Sequence, residues 1–180
     1  MTATVYDIHG KSYWTKTEKG ITVPASDVTK SFQIEFPKDI PSLSIVRLRL
    51  SDRKGRVLSE NIYWKRDKPE DLSILNSTSA TVNCTDITSK TKEGSTYYHF
   101  SVNNPSDTVA AMVRISLKDS TTGERILPVF YTDNFLWILP GESKEITIEC
   151  KSEDLIGKAP EIRLSGYNTE ETTTLIINNN

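Results

Sequence analysis

Apolar side chains recur at every second position along most of this chain, and clusters of Gly, Pro, Asn and Asp break the alternation at short intervals. That period sends successive side chains to opposite faces of an extended backbone, so it predicts half-buried strands. Thr2 to Ile8 sets Ala3 and Val5 against Thr4 and Tyr6, and His9-Gly10 supplies a turn. Lys11 to Thr17 continues as a strand, Ile21 to Val23 makes a short one, and Phe32, Ile34 and Phe36 share one face of another. Val46, Leu48 and Leu50 alternate with Arg47 and Arg49; Asp52 to Gly55 turns the chain and Val57 to Trp64 returns. β-branched and aromatic residues dominate throughout, which favours sheet over helix. Five or six strands are expected in this first half.

The charged run Lys65 to Asp71 contains one Pro and no apolar residue, the composition of a domain boundary. Strands resume beyond it. Ala80, Val82 and Cys84 share a face, Gly94 turns, and Tyr98, Phe100 and Val102 follow; Asn103 to Asp107 is a loop, and Val113, Ile115 and Leu117 alternate with Arg114, Ser116 and Lys118. From Gly123 to Cys150 the turns crowd together: Val129 and Tyr131 precede an Asp133-Asn134 corner, Trp137 follows it, Pro140-Gly141 has the chemistry of a type II turn, and Ile146, Ile148 and Cys150 alternate. Ser152 to Lys158 connects to strands at Ile162-Leu164 and Thr172 to Ile177. Seven or eight short strands at this spacing predict a two-sheet sandwich. The expected division is 1–66, a linker at 67–75, and 76–180.

The 180 residues carry 22 Lys and Arg against 24 Asp and Glu, both signs interspersed. No basic stripe offers itself to nucleic acid, and no apolar run approaches the length of a membrane span. The N-terminus lacks the pattern of a signal peptide. A strand that opens at residue 2 with no lead-in predicts that the natural polypeptide starts earlier. His9 and His99 have no Cys or His at ligand spacing, so no metal and no cofactor is expected. Cys84 and Cys150 each sit on an apolar face; a buried disulfide and two buried free thiols both fit their separation.

Candidate chemistry is sparse. Tyr131, Asp133, Asn134 and Trp137 gather aromatic and polar groups at one corner, which reads either as a platform for stacking a sugar or as core and corner packing, with packing favoured. Arg47 and Arg49 suggest an anion site or, more simply, the solvated face of a strand. The carboxylates at Asp52, Asp119, Glu142, Glu145 and Glu149 fall in turns or on charged strand faces, where ordinary pKa values are expected. Glycosidic hydrolysis needs two carboxyl groups held on either side of the bond, and no such pair is discernible. Phosphate-cradling loops and nucleophile elbows are absent too.

The runs VYDIHGK, VRLRLSDRKGRVLSENIYW, VNNPSDTVAAMVRISL, ILPVFYTDNFLWILPGE and GKAPEIRLSGYN resemble, in order and spacing, the C-terminal part of family 2 glycoside hydrolases of the exo-β-glucosaminidase and β-mannosidase type. The resemblance covers nearly the whole chain. It implies an all-β fold of two tandem immunoglobulin-like β-sandwich domains, the first lacking its N-terminal strands. It also implies a non-catalytic region that buttresses a catalytic TIM barrel in the same parent chain, which would be periplasmic or extracellular. The family's catalytic glutamates have no counterpart in these residues. The incomplete first sheet would leave an edge able to pair with a neighbouring copy. An independent carbohydrate-binding module and a cell-surface adhesion or spacer domain are the rival readings.

Overall fold

The computed structural model describes residues 1–176, so the end of the last expected strand, at Ile177, and the Asn tail lie outside the described residues. The chain divides into two compact units, Met1–Ile74 and Leu75–Asn180.

The first unit is a single antiparallel sheet of β1 (Thr2–Tyr6), β2 (Ser12–Thr17), β3 (Ser44–Ser51) and β4 (Val57–Lys65), in the order β2-β1-β3-β4. The alternation in the sequence fixes its faces. Val5 lies opposite Trp14 on one side and Val46 on the other, and Ala3 lies opposite Leu48. Ala3, Val5 and Val46 are buried. The first turn is closed by Asp7, whose carboxylate accepts the N–H groups of His9 and Lys11, both at 2.9 Å, while Gly10 takes φ 78°. Asp52 closes the β3–β4 turn in the same way, accepting from the N–H groups of Lys54 and Arg56.

Two expected strands do not form. Residues 21–23 and 32–36 are irregular, and the first unit has four strands rather than five or six. Phe32 packs its ring 6.2 Å from that of Trp14, and the Lys65 ammonium sits 5.1 Å from the Phe36 ring centre, so this segment lies over the sheet face that carries Val5 and Val46. The apolar alternation there serves to cover a core. A strand also needs a neighbour to take its backbone hydrogen bonds, and the described residues give this segment none.

At the expected linker, Pro69–Ser77 forms a 3₁₀ helix. The Asp71 carboxylate accepts the N–H groups of Asp67 and Lys68 at its start, and the Lys68 bond in particular holds its pKa below 3.8.

Among the described residues, the second unit is a two-sheet sandwich of eight strands. One sheet contains β5 (Asn83–Lys92), β6 (Ser95–Asn103), β8 (Val129–Tyr131) and β10 (Ser143–Lys151), ordered β5-β6-β10-β8. The other contains β7 (Ala110–Asp119), β9 (Leu136–Ile138), β11 (Pro160–Gly166) and β12 (Thr169–Leu175), ordered β12-β11-β7-β9. The inward positions of both sheets form one core: Tyr98, Phe100 and Val102 of β6, Ile146 and Ile148 of β10, Val113, Ile115 and Leu117 of β7, and Ile162 and Leu164 of β11. All were legible as alternating apolar positions. Burying a side chain of this size contributes about 1.5–3 kcal/mol, so this shared core dominates the unit's stability.

Candidate functional site

The crowded stretch from Val129 to Ile138 carries the chain from one sheet to the other. β8 ends on the edge of the first sheet beside β10, and β9 begins on the edge of the second beside β7, with the corner between them. Each residue singled out there has a structural partner. Asp133 is exposed and its carboxylate accepts the Asn134 N–H at 2.8 Å, the local bond expected of Asp at a corner. Asn134 reaches β7: its Oδ1 accepts the Ile115 N–H at 2.8 Å, and its Nδ2 donates to the Ile115 carbonyl at 3.0 Å. One amide thus does the work of a strand residue where β9 has not yet begun.

Tyr131 points its hydroxyl at the β7 backbone and accepts the Leu117 N–H at 3.2 Å; burial raises its pKa. Trp137 is only 9% exposed, so its indole faces cannot take a sugar ring. Of the four, Tyr131 packs against the sandwich core, Asn134 is tied to the β7 backbone, and Trp137 is buried out of phase with the core residues Leu136 and Ile138.

The rings that do reach solvent are their neighbours. Phe130 is 68% exposed and Phe135 56%, the latter held at φ 57°. Phe130 stands out of phase with Val129 and Tyr131, so the alternation already placed it on the outer face, and that was the signal to follow. Positive φ at Phe135 follows from the corner itself, and a bulky residue adopts it only where tertiary contacts enforce it.

The carboxylates split into capping groups and ion-pair partners. Buried Asp119 accepts the N–H groups of Ala159 and Thr121, both at 3.1 Å, and these bonds hold its pKa below 3.8, a departure from the ordinary value its turn position suggests. Buried Glu161 lies 3.3 Å from Arg163. Glu145, expected on a solvated face, pairs with His99 at 3.1 Å and accepts from the Ser101 hydroxyl. The Arg47 and Arg49 pair faces Glu60, with Arg49 at 2.5 Å. Among the described residues there is no group of three or more His, Cys, Asp or Glu placed to hold a metal, and no helix is long and apolar enough to cross a membrane.

The structure closes the cysteine question. Both thiols are free. Cys84 lies opposite Val102 at one end of β6, and Cys150 lies opposite Thr96 near the other end, on the far side of that strand. Six residues at ~3.3 Å each separate those levels by roughly 20 Å, far beyond disulfide reach. Desolvation raises the Cys84 pKa to about 12 and that of Cys150 to about 11.

With the geometry in place, comparison with known proteins identifies its kin. The family described as the exo-beta-D-glucosaminidase Ig-fold domain matches residues 61–169, more than half of the chain. The chain belongs to this family. Residues 1–67 match the mannosidase Ig/CBM-like domain. An exo-beta-D-glucosaminidase of Streptomyces avermitilis is 30% identical over 94% of this chain and 21% of its own length. One from Arthroderma benhamiae is 29% identical over 95% of this chain and 20% of its own. The crystal structure of Amycolatopsis orientalis exo-chitosanase CsxA superposes with a TM-score of 0.84 at 26% identity, covering 97% of this chain and 23% of that one. The resemblance to the immunoglobulin-like region of family 2 glycosidases is therefore kinship. The chain spans about a fifth of the length of the curated relatives it matches.

Proposed function

We propose that this chain is a non-catalytic accessory region of a longer glycoside hydrolase that cleaves β-linked glucosamine. The observation that carries the reading is the pair of domain families that cover residues 1–67 and 61–169, aligned with relatives some five times longer. Those relatives are named as glucosaminidases, which favours the glucosaminide over the mannoside of the original pair. In this role the second unit is a rigid body that buttresses the catalytic barrel of the parent chain. The Tyr131–Trp137 corner stiffens one end of the sandwich and presents Phe130 and Phe135 to a neighbour, either the barrel or a wall of the sugar cleft. A polymer-degrading enzyme meets its polymer outside the cell membrane, so the parent enzyme is placed in the periplasm or outside the cell. Two thiols too far apart to bond are compatible with that compartment.

Two experiments test the reading. The purified 180-residue chain should release no nitrophenol from p-nitrophenyl β-D-glucosaminide above the buffer rate; hydrolysis that survives repurification overturns the non-catalytic role. Reading the gene upstream of Met1 should reveal a barrel domain, whereas a stop codon directly upstream overturns the parentage.

The exposed Phe130 and Phe135 rings favour one second reading, a carbohydrate-binding module. Binding of glucosamine oligomers by the chain, abolished by Phe130→Ala with the fold retained, would establish it over the buttress.

A further inference from the structure

We propose that the outer face of the β12-β11-β7-β9 sheet carries a binding cleft for a multivalent oxyanion, held by Arg114, Lys118 and Arg125. On β7 the inward residues Val113, Ile115 and Leu117 alternate with Arg114, Ser116 and Lys118, so these three point outward together. β11 supplies one side of the cleft, with Arg163 opposite Ser116 and Ser165 opposite Arg114. On the other side the Gly123–Arg125 segment folds back, and Arg125 bridges to Lys118. The result is a concavity of about 280 Å³.

Its charges do not balance. Arg163 is held at 3.3 Å by Glu161 and at 3.0 Å by Glu171, which fixes the guanidinium and leaves one negative charge over. Its Nε is buried and has no hydrogen-bond partner. Glu161 of β11 also lies opposite Lys118, so the four cations Arg114, Lys118, Arg125 and Arg163 face the three carboxylates Glu124, Glu161 and Glu171, and Arg114, Lys118 and Arg125 make no ion pair among the described residues. Arg114 and Lys118 are half-buried. Like charges crowded into a partly desolvated concavity repel, and the repulsion is relieved when an anion enters.

The arginines of β3 in the first unit show the contrast. Arg49 is matched by Glu60 within its own sheet, so the anion site the sequence suggested at Arg47 and Arg49 is already occupied by a side chain. In the cleft on β7, Arg114, Lys118 and Arg125 have no such carboxylate paired with them among the described residues. Two guanidinium forks and an ammonium, with the Ser116 and Ser165 hydroxyls beside them, suit carboxylate, sulfate or phosphate oxygens. An amine-bearing sugar would be repelled, so the cleft is not a second place for glucosamine, and the inference stands independently of the proposed function.

The test is an amide NMR titration of the 180-residue chain with sodium citrate and, separately, sodium sulfate, at constant ionic strength set with sodium chloride. Saturable shifts are expected at Ser116, Lys118 and Ser165. The Arg114→Gln/Lys118→Gln variant should weaken the response about tenfold or more, and Lys90→Gln/Lys92→Gln on β5 should leave it unchanged. If the double variant misfolds, Arg125→Gln alone takes its place. Saturation by citrate only assigns a carboxylate ligand, and saturation by sulfate only a tetrahedral one. Linear shifts without a plateau, or equal shifts in the β7 variants, overturn the cleft and reduce the effect to general screening.

Discussion

Replacing Asn134 with Ala tests the idea that one side chain substitutes for a missing stretch of β9. The amide accepts from the Ile115 and Phe135 N–H groups, both at 2.8 Å, and donates to the Ile115 carbonyl at 3.0 Å. Truncation leaves both backbone groups of Ile115 without a partner in the middle of β7. An orphaned buried donor or acceptor costs about 1–3 kcal/mol. The site is only partly buried, so water recovers some of this, and the expected loss is about 2–4 kcal/mol. For a unit of this size each kcal/mol lowers Tm by roughly 4 °C, so the midpoint should fall by roughly 8–16 °C. The assay uses the fluorescence of Trp137, made specific by changing Trp14 and Trp64 of the first unit to Phe in both the reference and the variant. A shift under about 2 °C would refute the reasoning and show that the corner holds without the amide.

Other expectations follow from the same contacts. Trp137→Ala should destabilise the second unit by about 3–5 kcal/mol in urea unfolding, because it empties a buried site; a loss under about 1 kcal/mol would mean that the indole is not packed. Asp119 has a folded pKa below its ordinary 3.8, so its contribution is fully present above that value and disappears as pH falls through the folded one. Asp119→Asn should therefore flatten the stability profile below about pH 4, and an unchanged acid limb would contradict the capping role. Cys84 and Cys150, raised to about 12 and about 11, should react with a thiol reagent at pH 8 only once the chain is unfolded; prompt reaction of the native chain would show that they are accessible. Pairing between copies through the β2 or β4 edge should give a mass that rises with concentration in light scattering and falls back with Tyr63→Lys, a residue 53% exposed on β4; a constant monomer mass would exclude it.

Local chemistry reaches a long way in this chain. Alternation at Tyr98 to Val102, Val113 to Leu117 and Ile146 to Cys150 fixed which side chains enter the core, because a strand has a period of two wherever it ends up. Turn residues did the same for Asp7-Gly10, Asp52-Gly55 and Pro140-Gly141, where short-range bonds and a positive φ are enough. Motif order revealed the family. What those patterns leave open is the identity of each strand's neighbour. Residues 32–36 alternate like a strand, yet cover a sheet, because an extended segment without a partner cannot satisfy its backbone.

The remaining decisions were tertiary. Trp137 and Asn134 look like site residues in one dimension and become packing and a backbone surrogate once β7 lies beside them. Cys84 and Cys150 share an apolar character but lie on β5 and β10, beside opposite ends of β6. Arg47 and Arg49 found a carboxylate across a hairpin, whereas Arg114, Lys118 and Arg125 did not, and whether a charge is matched depends on pairings between segments far apart in sequence. The residue order determined which groups are apolar, which bend the chain and which are charged; only the folded sheets decided which of them meet, since hydrogen-bond partners and desolvation are set by neighbours that the chain brings together from a distance.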